Sequence, residues 1–165
     1  MTDKKKLEIP KLRGHHCFAC GTENSKGLNL CFYREGNHVC TDIRLDKHHE
    51  GWENMAHGGI LSTLLDETMS WTIIYFKRTF FVTRKMEVKY LKPAIIGRQL
   101  TVKGRISDDA RPPKIVARAE ILDERGSVLA KGTGEFVEIP EERLSAVPRG
   151  LKRDMKALFD KMPPL

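Results

Sequence analysis

One stretch constrains this chain more than any other. Gly51-Trp52-Glu53-Asn54-Met55-Ala56-His57-Gly58-Gly59 runs directly into Ile60 to Arg78. After the glycine pair, apolar residues recur at 60/61, 64/65, 69, 71, 73/74 and 76, wider than one amphipathic stripe. The pattern predicts a central helix contacted on most sides. Gly58 and Gly59 leave its first backbone N–H groups uncovered by side chains. Together with the positive end of the helix dipole, they make a site for an oxyanion or a polarised carbonyl. Lys77 and Arg78 suit the opposite, negative end.

Asp66 is out of place in so apolar a helix, because a carboxylate buried without a partner costs several kcal/mol. It follows Gly59 by two turns, which puts it on the same face but roughly 10 Å further along the axis. The glycines and Asp66 of one chain therefore cannot reach one carbonyl. Two copies running antiparallel across a two-fold axis would set the glycine end of each beside Asp66 of the other, forming two equivalent sites. This geometry predicts a homodimer.

His57-Gly58-Gly59, with an aspartate nine residues after the histidine, resembles the hotdog-fold acyl-CoA thioesterases. The branch is the one containing phenylacetyl-CoA and 4-hydroxybenzoyl-CoA thioesterases. Val88-Lys89-Tyr90-Leu91-Lys92-Pro93-Ala94 is similar to that family's strand after the helix, and the likeness spans roughly residues 17 to 138. The resemblance implies hydrolysis of an acyl-CoA thioester without a cofactor. Gly58 N–H would donate to the thioester carbonyl, and Asp66 of the partner chain would be general base or nucleophile. Thr83 stands where relatives carry a hydroxyl that positions water or the carboxylate. On the substrate side it implies His57, Gly59, Asn54 and Trp52, with Arg84, Lys85 and the loop from Arg111 to Lys114 as phosphate contacts for coenzyme A.

Relatives often carry an asparagine or glutamine six residues before the histidine, where this chain has Gly51; Asn54 is the candidate replacement. His57 itself is expected to hydrogen-bond backbone at the helix start rather than act as a base. Trp52, Leu61 and Met69 are expected to line the acyl pocket. Glu67, rotated away from Asp66, is read as a surface or intersubunit residue. Whether dimers pair into tetramers stays open, and a hotdog domain that binds acyl-CoA without cleaving it is the alternative. Asp66 argues against that alternative, since a binding site needs no buried carboxylate.

The remaining chain fits an α+β domain in which a curved antiparallel sheet of about six strands wraps one long helix. Leu28 to Arg34 and His38 to Leu45 read as a hairpin turning at Glu35-Gly36-Asn37, and residues 46–56 as an irregular connection. After the helix come strands over Val82 to Leu91, Gln99 to Ile106, Lys114 to Leu122 and Ser127 to Ile139. Residues 1–14 are expected to be a basic lead-in, 15–140 the hotdog domain and 141–165 an amphipathic helical extension interrupted at Pro148.

A net charge of +7 favours an anionic partner, and the phosphates of coenzyme A meet that need without nucleic acid. Much of the charge lies at the ends, with Lys4, Lys5, Lys6, Lys11 and Arg13 at one and Arg149, Lys152, Arg153, Lys156 and Lys161 at the other. No apolar run spans a membrane, and the first residues are not an apolar signal segment, so a cytoplasmic protein is expected. Cys17-Phe18-Ala19-Cys20, flanked by His15 and His16, could supply zinc ligands, but no second Cys-x-x-Cys completes the set. The expectation is a tight turn at Cys20-Gly21 leading into the first strand, without metal; a similar Cys-x-x-Cys-Gly entry appears in some members of the branch it resembles.

Overall fold

The computed structural model describes residues 6–107 and 111–165. Lys4 and Lys5 of the basic N-terminal cluster lie outside the described residues. In chain order the elements are β1 (Leu7–Ile9), β2 (Phe32–Glu35), β3 (His38–Arg44), β4 (Glu50–Trp52), β5 (Met55–Ala56), α1 (Gly58–Lys77), β6 (Phe81–Tyr90), β7 (Gln99–Ser107), β8 (Lys114–Leu122), β9 (Val128–Glu138) and α2 (Arg149–Lys161). Short 3-10 turns occupy Lys47–His49 and Glu141–Ala146.

Seven strands form one antiparallel sheet in the order β1-β2-β3-β7-β8-β9-β6, while β4 and β5 make a separate two-stranded ribbon. The main sheet thus exceeds the expected six strands. The additional strand is β1, where Leu7, Glu8 and Ile9 pair with Arg34, Tyr33 and Phe32 in a stretch whose charge masks its brief alternation. The β2–β3 hairpin turns at Gly36-Asn37 with Glu35 opposite His38; Gly36 takes a φ of 61°, which glycine accepts without steric cost.

Helix α1 lies in the concave face of the sheet against β3, β7, β8 and β9. Leu64, Leu65, Met69 and Ile73 are fully buried there, each contributing about 1.5–3 kcal/mol relative to exposure. The middle of the sheet is built from Gly104, Ala117, Ala119, Gly132 and Gly134, which let the helix approach closely. A Cβ on Gly104 would stand 2.5 Å from Thr72 Oγ1. The buried hydroxyls of Thr68 and Thr72 donate back to the carbonyls of Leu64 and Thr68, both at 2.7 Å, so neither is left unpaired.

One stripe of α1 escapes this packing. Gly59, Ser62, Thr63, Asp66, Glu67 and Ser70 stay at least partly exposed along it. The C-terminal end of the helix is closed by α2 and the residues after it: Leu158 of α2 and Met162 join the core, and Arg78 Nη2 donates to Pro163 O at 2.9 Å. Among the described residues no helix is long and apolar enough to cross a membrane.

Candidate active site

The β4–β5 ribbon delivers the chain to α1 under tight control. Asn54 adopts a left-handed φ of 61° at the ribbon's turn, and its N–H donates to Glu50 Oε1 at 3.1 Å. Ala56 N–H donates to Ala94 O and His57 N–H to His49 O, both at 2.8 Å. His57 then caps the helix: its backbone is extended, and its Nδ1 accepts the Gly59 N–H at 2.9 Å. The imidazole therefore holds the turn, as expected for a histidine at a helix start.

This cap divides the two glycines by function. Gly59 N–H is spent on His57, whereas Gly58 N–H has no hydrogen-bond partner among the described residues and remains at the positive end of the helix. Beside it, Tyr90 on β6 donates to Gly58 O at 3.0 Å and shares a 2.6 Å hydrogen bond with Ser62 Oγ. Tyr90 fixes this end of the helix; in the sequence it was visible only as one apolar position of an alternating strand. Gly51 packs so closely that a Cβ would lie 2.9 Å from His57 Cα. The amide side chain common at that position has no room here.

Asp66 sits about two turns further along α1, half-buried, and accepts a hydrogen bond from Thr83 Oγ1 at 3.3 Å. Burial pushes its carboxyl above the ordinary aspartate range, opposed by the Thr83 hydrogen bond. Thr83 thus meets Asp66 of its own chain. Gly58 and Asp66, eight residues apart on a continuous helix, are separated by about 12 Å along its axis.

The other expected residues fall at varying distances from this centre. Trp52 projects from the ribbon with 79% of its surface exposed. Leu61 and Met69 do not line a pocket, because both are buried between helix and sheet, at 4% and 0% exposure. Arg84 and Lys85 occupy an irregular point of β6, where the pairing register shifts between Thr83 and Lys85. Lys85 lies across from Glu135 in the strand register, and Glu135 pairs with Lys114 at 3.0 Å. A basic cleft of about 360 Å³ lies elsewhere on the sheet, lined by Lys89, Lys103, Arg105, Arg118 and Lys131 with Glu87 and Glu120 among them.

Glu67, expected at the surface or between subunits, lies under the Cys17–Cys20 turn. Cys17 Sγ is 3.9 Å from Glu67 Oε1, and Trp71 Nε1 donates to the same oxygen at 3.0 Å. Burial raises the Glu67 carboxyl to about 7. No spacing rule links residue 67 to a turn fifty positions earlier, so only folding brings these groups together.

Comparison with known proteins bears on this geometry. Residues 53–130 match the family model described as the thioesterase superfamily. A search of curated proteins found no match. Among solved structures, a thioesterase superfamily protein aligns with a TM-score of 0.69 at 20% identity, covering 78% of this chain and 69% of its own. The PaaI protein of E. coli, from the phenylacetic acid degradation operon, aligns at TM-score 0.62 and 17% identity, covering 68% and 81%. A hypothetical thioesterase from Streptococcus pneumoniae TIGR4, solved with coenzyme A, aligns at TM-score 0.56 and 25% identity, covering 62% and 81%. That pneumococcal protein was also solved with single alanine replacements of a threonine and of an aspartate. The fold is the hotdog arrangement expected from the sequence.

Proposed function

We propose, for a chain that carries the thioesterase superfamily match over residues 53–130 on a hotdog fold, that it hydrolyses an acyl-CoA thioester to a free acid and coenzyme A. The observation that carries this reading is an uncommitted Gly58 N–H at the N-terminus of α1 together with a half-buried Asp66, held by Thr83, on the same helix. A thioester needs little more than a donor for its carbonyl oxygen and a base or nucleophile at its carbon.

The distance along α1 keeps these groups apart in one chain, so the proposal includes a homodimer with shared sites. Strand β6 supports it. It is the edge of the sheet, ten residues long, and its neighbourhood exposes Val82, Tyr90, Leu91 and Ile95 at 44% or more. An apolar edge strand with unpaired backbone groups is a template for a second copy. Antiparallel pairing there brings the stripe of each α1 toward its equivalent. The threonine and aspartate replaced in the pneumococcal thioesterase, and its coenzyme A, favour the same pair of residue types and the same ligand class.

In this reading Gly58 N–H of one protomer holds the carbonyl oxygen as it gains charge. Asp66 of the other takes a proton from attacking water; the tetrahedral adduct then collapses, the C–S bond breaks, and the thiolate leaves to be protonated as coenzyme A. Alternatively, Asp66 attacks the thioester carbon directly, the C–S bond breaks to expel the coenzyme A thiolate, which is protonated, and the mixed anhydride left on Asp66 is opened by water at one of its two carbonyls. Label in the Asp66 carboxylate after single turnover in ¹⁸O-labelled water marks the second route with water attack at the Asp66 carbonyl, and rapid-quench detection of an acyl group bound to Asp66 marks it whichever carbonyl water attacks. In this reading Arg84, Lys85, Arg111 and Lys114 are the candidates to meet coenzyme A phosphates, since guanidinium and ammonium groups bind phosphate by charge and hydrogen bonding. Asn54 and Trp52 flank the acyl end.

The test is release of free thiol from a panel of aromatic, short and long acyl-CoA esters, with Asp66→Asn compared at matched fold and oligomeric state. Hydrolysis is expected, and removing the base is expected to lower kcat by about 10²–10⁴-fold. No turnover across the panel, with acyl-CoA bound by both proteins, would move the assignment to a non-catalytic acyl-CoA-binding domain.

A further inference from the structure

We propose that Cys17, Cys20 and Glu67 form a binding site for one thiophilic divalent cation of the zinc class, joining the N-terminal turn to α1. The proposal is independent of thioester hydrolysis. One ligand atom from each of the three residues lies within 4.8 Å of the other two. Tetrahedral zinc requires S···S of ~3.8 Å and S···O of ~3.6 Å, from metal–ligand lengths of about 2.3 Å to sulfur and 2.0–2.2 Å to oxygen. The observed 3.9 Å between Cys17 Sγ and Glu67 Oε1 is within a few tenths of that value.

The turn is shaped for a metal thiolate. Gly21 N–H donates to Cys17 O at 2.9 Å, and a Cβ on Gly21 would lie 2.5 to 2.6 Å from His15 O and the Cys17 backbone, so only glycine fits. The third donor comes from the helix, not from His15 or His16. Glu67 is a largely buried carboxylate whose polar neighbours are the two thiols, the Trp71 N–H and, next along the helix, Asp66. Such a group is costly to leave unneutralised. Two sulfurs and one carboxylate favour zinc over magnesium or calcium, which take all-oxygen sets. Cys17 is exposed, so solvent reaches the cluster and a water would complete the fourth position. On binding, the thiol protons pass to solvent and each sulfur donates its freed pair to the metal.

Trp71 then acts as a positioning residue. Its ring stacks on Phe32 at 4.8 Å while its N–H orients Glu67, so Trp71→Phe removes the hydrogen bond and keeps the stack.

The test uses the untagged full chain purified under reducing conditions, with metal content measured by mass spectrometry and cobalt(II) added to metal-stripped protein as a spectroscopic probe. The expected result is one zinc per chain and an intense thiolate-to-cobalt charge-transfer band. Cys17→Ser and Cys20→Ser should abolish both, while Cys31→Ser, at an exposed thiol outside the cluster, leaves both unchanged. Glu67→Gln should weaken cobalt binding and shift the ligand-field bands; Trp71→Phe should weaken it by about 10–100-fold with the spectrum retained. Substoichiometric metal with no charge-transfer band in folded wild type overturns the proposal. So does a Cys17–Cys20 disulfide that persists under these conditions, or a full cobalt spectrum in either serine variant.

Discussion

The two glycines at the start of α1 are alike in sequence and different in the fold. His57 spends the Gly59 N–H as a cap, leaving Gly58 as the free donor. The asymmetry depends on a side chain two residues upstream folding back, a local event that helix-start rules anticipate. Thr83 is a less local case, because a strand seventeen residues later supplies the hydroxyl that holds Asp66. Thr83→Val keeps the shape and removes the hydrogen bond. Since a bond to a charged group is worth about 1.5–3 kcal/mol, kcat should fall roughly 10–100-fold with KM little changed. Steady-state kinetics check this, and an unaltered kcat would exclude Thr83 from orienting the carboxylate. Other residue roles were not legible at all. Glu67 looked like a surface residue, and Tyr90 like an ordinary strand position, because their partners are distant in sequence.

At the scale of elements, periodicity identified α1 and the strands β3 and β6 to β9 from their repeats, and it found β2 only in part, since the expected Leu28 to Arg34 pairs from Phe32 to Glu35. It missed β1, three residues long and amid charge, and the β4–β5 ribbon, whose pairing depends on the Asn54 turn rather than on an apolar pattern. Helix and sheet meet through missing side chains as much as through present ones. At Gly104 an added Cβ would press on Thr72 Oγ1 at 2.5 Å. Gly104→Ala should therefore destabilise the fold by about 1–3 kcal/mol, read as a lowered midpoint in urea unfolding. Adding Thr72→Ala should recover part of the loss, because the two positions share one contact. Additive losses would show that the strain lies elsewhere.

For the whole molecule, the site proposed for hydrolysis spans two copies, and β6 is the edge on which they would meet. Val82→Lys places a charge on that edge at a position 54% exposed in the single chain, so the protomer should fold while the dimer weakens. Sedimentation equilibrium should show monomer, with thiol release lost in parallel; a fully active monomer would show that one chain holds a complete site. The sequence by itself determined the helix, its glycine start, the misplaced carboxylate and the alternating strands. These are local consequences of backbone geometry and of the cost of burying charge. Only the tertiary structure decided which glycine N–H stays free, which hydroxyl meets Asp66, and that the Cys17–Cys20 turn closes over Glu67. Such contacts join residues far apart in the chain, and their positions follow from how the sheet curves around α1 rather than from any repeat a linear sequence can carry.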